Sequence, residues 1–135
     1  MPDGYNDKAK YPVIYLLDGS ANEDFLHIVG LVQFYNMTFN MPKTIIVGIA
    51  NVDRKRDFTF PAKIEKFKKM HPVTGGSAKF IDFLEKELQP YIKANYKTND
   101  STYLIGQSLG GLVASEILLK KPDLFSNYII VSPSL

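Results

Sequence analysis

Four short runs of apolar, β-favouring residues, separated by stretches with helical spacing, constrain this chain more than any other feature of its sequence. The runs are Tyr11-Pro-Val-Ile-Tyr-Leu-Leu17, Lys43-Thr-Ile-Ile-Val-Gly-Ile-Ala50, Thr102-Tyr-Leu-Ile105 and Tyr128-Ile-Ile-Val131. They are nearly continuous rather than alternating, the pattern of strands covered on both faces, as in a parallel sheet. After the first run, Phe25, Ile28, Val29, Val32 and Tyr35 recur at helical spacing, with Asn22 placed to cap the helix and Glu23 and Asp24 in its positive first turn. Ser77 is placed to cap a second helix, with Phe80, Ile81, Leu84, Leu88, Tyr91 and Ile92 as its apolar stripe and Pro90 expected to bend or shorten it. Leu109, Leu112, Val113, Ile117 and Leu118 mark a third helix, which Lys120-Lys121-Pro122 stops. Strand alternating with helix predicts an α/β fold, a mostly parallel sheet with flanking helices.

Composition narrows the partners. A chain of 135 residues, 45% of them hydrophobic, sustains one core and is read as a single domain over residues 1–135. A net charge of +2 is far from the basic excess of a protein that lives on phosphate backbones, so no nucleic acid is expected. The absence of cysteine excludes disulfides, thiolate metal sites, iron–sulfur clusters and a cysteine nucleophile. No apolar run approaches the roughly 18–20 residues of a membrane span, and Met1-Pro-Asp-Gly4 has neither the basic start nor the apolar stretch of a signal peptide. Where the protein acts in the cell is not legible.

The chemistry is concentrated in Gly106-Gln107-Ser108-Leu109-Gly110, a G-x-S-x-G match between a predicted strand and a predicted helix. A nucleophilic serine in this setting sits on a strained turn that lifts its hydroxyl above the sheet edge, with glycines allowing the tight backbone path. Ser108 is therefore the candidate nucleophile. The N–H of Leu109, at the start of its helix, is one candidate donor to the oxyanion of a tetrahedral intermediate. A second donor must come from another loop, and Leu17-Asp18-Gly19-Ser20 ends an earlier strand at the same sheet edge, which makes the Ser20 N–H the candidate. The same residues read equally well as a plain Asp18-Gly19 turn before a capped helix.

Several of these segments together carry a resemblance. Leu16-Leu-Asp-Gly19, Arg56-Asp57-Phe-Thr59, Gly75-Gly-Ser77, Leu88-Gln-Pro90, Gly106-Gln-Ser-Leu-Gly-Gly111 and Ser132-Pro-Ser134 follow one another as in the Putative esterase family of α/β hydrolases, which includes esterase D, feruloyl and enterochelin esterases and mycolyltransferases. The resemblance runs from about Tyr5 to Leu135. It implies an α/β-hydrolase core, Ser108 as nucleophile, Leu109 and Ser20 amides as oxyanion donors, and hydrolysis of a small-molecule carboxylic ester. Gln107, where the commoner residue is His, is similar to the enterochelin esterases.

A serine nucleophile needs a general base, and the family order places an acid and then a histidine after the serine. Only 27 residues follow Ser108; Glu116 and Asp123 are the acids among them and there is no histidine. The chain is accordingly read as an internal piece of a longer hydrolase, incomplete at both ends, with the triad acid and histidine expected beyond residue 135. Of the two histidines, His27 reads as an ordinary helix residue, whereas His71 leaves a strand end within a basic excursion and is a candidate for facing substrate. That excursion, Asn51 to Gly76, holds seven basic residues against three acids; in it Arg54 and Arg56, with Lys55, are candidates for attracting an anionic substrate group, or else for solvated and structural ion pairs. Ile64 and Phe67 suggest a short amphipathic, lid-like turn. No metal-ligand spacing is present, and acyl transfer through serine needs no cofactor. Transfer of the acyl group to an alcohol other than water, or a binding module that keeps the fold without catalysis, stand as alternatives. A core cut at both ends also exposes sheet edges through which copies would pair as a homo-oligomer.

Overall fold

The most apolar of the four runs takes the most enclosed place. In the computed structural model, which describes residues 1–134, β1 (Tyr11–Leu16) has a strand on either side and all six of its residues are buried. On one side β2 (Ile45–Gly48) pairs with it, Val13 opposite Ile45 and Leu16 opposite Gly48. On the other, β3 (Thr98–Gln107) sets Val13 opposite Thr102 and Leu16 opposite Ile105. Outside β3 lies β4 (Asn127–Val131), with Tyr103 opposite Asn127. All pairings are parallel and the order is β2-β1-β3-β4, as the alternation of strand and helix predicts.

β3 begins at Thr98, earlier than its apolar run. Between Tyr11 and Val13 the register with β1 slips, so that Asn99, Asp100 and Ser101 are carried in an irregularity that no hydrophobic pattern announces. Tyr11, Val13, Tyr15 and Leu17, at alternate positions, share one core with Leu104 of β3, and with residues of the helices described next.

The helix after β1 starts later than its spacing suggests. Ser20 donates from Oγ (2.8 Å) and from its amide (3.3 Å) to Glu23 Oε2, closing a turn ahead of α1 (Phe25–Met37). Asn22 therefore caps nothing, Glu23 and Asp24 precede the helix, and Asp24 holds the N-cap position without a side-chain bond. No residue of α1 is fully buried; Phe25, Ile28, Val29 and Val32 are half-buried and Tyr35 is exposed. The excursion folds into two short helices, α2 (Arg54–Asp57) and α3 (Glu65–Met70).

Ser77 opens the next helix rather than capping it. Gly76 is the N-cap of α4 (Ser77–Phe83), and the buried Ser77 Oγ finds no partner. The helix continues through a wider π turn, Leu84–Leu88, into α5 (Gln89–Asn95), so Pro90 does not end it. The π turn opens the backbone just where the proline ring would press on the carbonyl four residues back, and where its missing N–H leaves a bond unmade. Ile81, Leu84 and Ile92 of this stretch are buried, and Tyr91 is not. In α6 (Leu109–Lys120) the buried face is Gly110, Gly111, Val113, Ala114, Glu116 and Ile117; it takes in Val113 and Ile117 of the predicted stripe, and leaves Leu109 and Leu112 half-buried and Leu118 exposed. Small residues at this face let the helix lie close against β3 and β4.

Tyr15 gives the core a pH signature. It is 1% exposed, packs edge-on to Phe125 at 5.4 Å, and burial pushes its phenol from 10.0 up to about 12. Above pH 10 the unfolded chain releases this proton while the folded chain retains it, so stability falls as pH rises from 10.0 to about 12. Denaturant melts across that range should show a shallower decline for Tyr15→Phe than for the natural sequence.

The topology also places a crevice. The connection leaving β1 runs through α1 to β2 on one side, and the connection leaving β3 runs through α6 to β4 on the other. Between the carboxyl ends of β1 and β3 the two connections part, which is where open α/β sheets bind their ligands.

Candidate active site

Ser108 makes the corner between β3 and α6 by itself, since one ends at Gln107 and the other begins at Leu109. Its φ of 54° and ψ of −115° are a conformation that residues with a side chain rarely adopt, and such strain persists only where its surroundings enforce it. The surroundings here are backbone. Ser108 N donates to Val131 O, while Ser108 O accepts from the amides of Ser134 and Leu112, each at 3.0 Å. A Cβ on Gly106 would come within 2.4 Å of the Gly110 carbonyl oxygen, so glycine at 106 is what lets the helix fold back this tightly. The Ser108 side chain is exposed, with its Oγ 3.1 Å from Ser134 Oγ. Leu112 is the first amide of α6 that bonds back along the helix, which leaves those of Leu109, Gly110 and Gly111 ahead of it, directed out of the helix's positive end.

Ser108 opens onto a cleft of about 270 Å³ lined by Asp18, Glu23, Asp24, Arg54, Gln107 and itself. These come from the ends of β1 and β3 and from α2, at the parting of connections described above. Asp18, 7% exposed, has a positive φ of 53° and accepts two bonds from Arg54, Nε to Oδ1 at 2.6 Å and Nη2 to Oδ2 at 2.9 Å. Asn51 Nδ2 donates to the same carboxylate at 2.6 Å and to Glu23 Oε1 at 2.9 Å. The hydrogen bonds from Arg54 to Asp18 raise the guanidinium pKa above its ordinary value, and Arg54 lies over the Phe58 ring at 5.7 Å.

The structure brings some of the candidate residues together and not others. Arg54 shares the cleft with Ser108, but as the partner of Asp18, in surroundings that hold three carboxylates to one cation. Arg56 pairs with Asp57 at 2.7 Å and lines a separate 560 Å³ cavity beside β2, with Lys79 and Phe80. His71 is the exposed C-cap of α3, its ring 5.2 Å from that of Phe67, and it lines neither space. Ile64 and Phe67 are exposed at α3. His27 is exposed on α1. Leu109 opens α6, and the Ser20 amide is engaged by Glu23. Sequence reasoning did not find the group formed by Asp18, Asn51, Glu23 and Arg54. One local signal was available, because Ser20-Ala-Asn-Glu23 has the spacing of a capping box; the Asp18 to Asn51 contact spans 33 positions and has none. Among the described residues no three His, Asp or Glu side chains are grouped to hold a metal ion, and no helix is long and apolar enough to cross a membrane.

Residues 1–135 match the family described as "Putative esterase". The chain belongs to this esterase family. Its relatives include the ferri-bacillibactin esterase BesA of Bacillus subtilis, 38% identical over 144 residues, a match that takes in 94% of this chain and 49% of BesA. Among solved structures, an IroE-like serine hydrolase from Shewanella oneidensis superposes with a TM-score of 0.85 at 40% identity, over 99% of this chain and 44% of that one. The siderophore hydrolase EstA of Aspergillus nidulans superposes with a TM-score of 0.82 at 26% identity, over 97% and 48%. The chain thus spans about half the length of these relatives, and its sheet is that of an α/β-hydrolase core.

Proposed function

We propose that the protein is a serine hydrolase of carboxylic esters in which Ser108 is the nucleophile. The observation that carries this reading is the strained corner at Ser108, φ 54°, set between a parallel strand and a helix at the crevice where the sheet's connections part. Ser108 Oγ attacks the ester carbonyl and passes its proton to a general base. The tetrahedral oxyanion accepts hydrogen bonds from the Leu109 amide at the start of α6 and from the Ser20 amide, where it takes the place of the Glu23 carboxylate. Collapse releases the alcohol, protonated by the same base, and leaves an acyl-enzyme that water cleaves. In this reading the histidine base and its acid follow residue 135, in the part of the longer relatives that this chain does not span. Relatives named for ferri-bacillibactin and siderophore hydrolysis support a siderophore-type ester as substrate.

The test is intact mass after exposure to a fluorophosphonate. The full-length enzyme is expected to gain one adduct that Ser108→Ala abolishes. The 135-residue chain, without the base, should label at least about 10⁴-fold more slowly. No adduct on the full-length enzyme would overturn the proposal.

A further inference from the structure

The cleft holds a buried carboxylate that the mechanism above does not use. Asp18 lies two residues beyond the end of β1 and immediately precedes the turn that carries the Ser20 amide. Its side chain is hydrogen-bonded from two separate segments and faces a third. Arg54 of α2 meets it with a fork of two bonds, Asn51 after β2 donates a third, and Gly110 in the first turn of α6, lacking a side chain, leaves it room. A Cβ at Gly110 would stand 3.1 Å from Asp18 Oδ2. The backbone of the residue is held as firmly. Asp18 O accepts from the Asp24 amide at 3.1 Å, the Gly19 amide donates to Ile49 O at 2.9 Å, and φ at Asp18 is 53°. From Asn51 the network continues through Glu23 to the Ser20 amide and hydroxyl.

Resting on the reading of Ser108 as nucleophile, we propose that Asp18, clamped by Arg54, is a positioning residue for ester cleavage: it fixes the turn after β1 against the start of α6, so that the Ser20 and Leu109 amides face one oxyanion. The two amides belong to segments 89 positions apart, which the pairing of Leu16 with Ile105 and the bond from the Leu17 amide to Ile105 O bring side by side; beyond the strand ends, the Asp18 carboxylate held by Arg54 stands against Gly110 and fixes the turn there. Its charge is a hazard as well as an anchor. An unpaired carboxylate beside a forming oxyanion opposes it, and the Arg54 fork removes that opposition.

The experiment measures, on the full-length enzyme, the fluorophosphonate rate constant per reactive serine and kcat and KM for an ester, in Asp18→Asn, Arg54→Ala and the double variant. Asparagine tolerates the left-handed backbone, so Asp18→Asn changes the charge and one acceptor while keeping the turn. Each single change is expected to lower kcat and the labelling rate constant about 100-fold with KM unchanged. The double variant should be no slower than Arg54→Ala and partly recovered, because it no longer carries an unpaired carboxylate. If Asp18→Asn fails to fold, the cation-only change in Arg54→Ala and its kcat against KM decide. A merely structural role would lower the melting temperature and the fraction of serine that labels, leaving the rate constant per labelled site within about fivefold of the natural sequence, and that result overturns the inference. Absence of labelling in the unmodified enzyme would instead refute the nucleophile itself.

Discussion

Replacing Ser108 by glycine should abolish ester cleavage and at the same time make the fold more stable. Loss of the nucleophile is expected to lower kcat of the full-length enzyme by about 10⁶-fold, the scale seen when a serine is removed from a catalytic triad. The stability gain follows from the backbone. At φ 54° and ψ −115° a Cβ is in conflict with its own main chain, a strain worth about 1–3 kcal/mol, and glycine relieves it. The greater freedom of glycine in the unfolded chain takes back about 0.5–1 kcal/mol, leaving a net gain of about 1 kcal/mol. Ser108→Ala provides the contrast: it is equally inactive but keeps its Cβ and the strain. Denaturant midpoints at constant slope measure the difference. A Ser108→Gly variant less stable than Ser108→Ala by about 0.5–1 kcal/mol would mean that the corner is unstrained and that the case for an activated serine there is lost.

Gly106→Ala is expected to damage both the fold and the activity. The added carbon would meet the Gly110 oxygen at 2.4 Å, the Gly110 carbonyl carbon at 2.7 Å and the Gly111 nitrogen at 3.1 Å. All three are backbone atoms in the first turn of α6, so no side chain can swing aside and the helix itself must move off β3. Overpacking of this kind costs on the order of 3 kcal/mol. The displacement also carries the Leu109 amide away from its place beside Ser108, and a shift near 1 Å costs on the order of 100-fold in rate. Unfolding in denaturant and kcat of the folded fraction are the two readings; retention of both within error would show that α6 has room that the geometry denies it.

The sheet and the corner were legible in the sequence because both are written in neighbouring residues. β1 is a continuous apolar run, and a strand in the middle of a parallel sheet must be one. Gly106-Gln-Ser-Leu-Gly110 places its glycines where the backbone needs them. Where the reading slipped, the cause lay elsewhere in space. The polar start of β3 is enforced by pairing with β1, not by its own pattern. Pro90 was accommodated by a π turn that begins six residues earlier. The basic excursion read either as a field for anions or as a source of structural ion pairs; Arg56 pairs with Asp57 in line with the second reading, while Asp18 as the partner of Arg54 was not foreseen, because charge along the chain says nothing of which distant carboxylates the fold delivers. The clamp around Asp18 joins residues 18, 51, 54 and 110, and only the closed sheet makes them neighbours.

That closure fixes when the strained corner at Ser108 forms. β1 pairs with β3 across a separation of 89 positions, from Val13 to Thr102, with β2 and the helices α1 to α5 strung between them. Long-range pairing of this kind is entropically late. A growing or refolding chain that has assembled β1, α1 and β2 still has an unstrained, solvated serine and no cleft. The strained corner and the cleft come into being only when β3 and β4 close the sheet, so unfinished copies lack both.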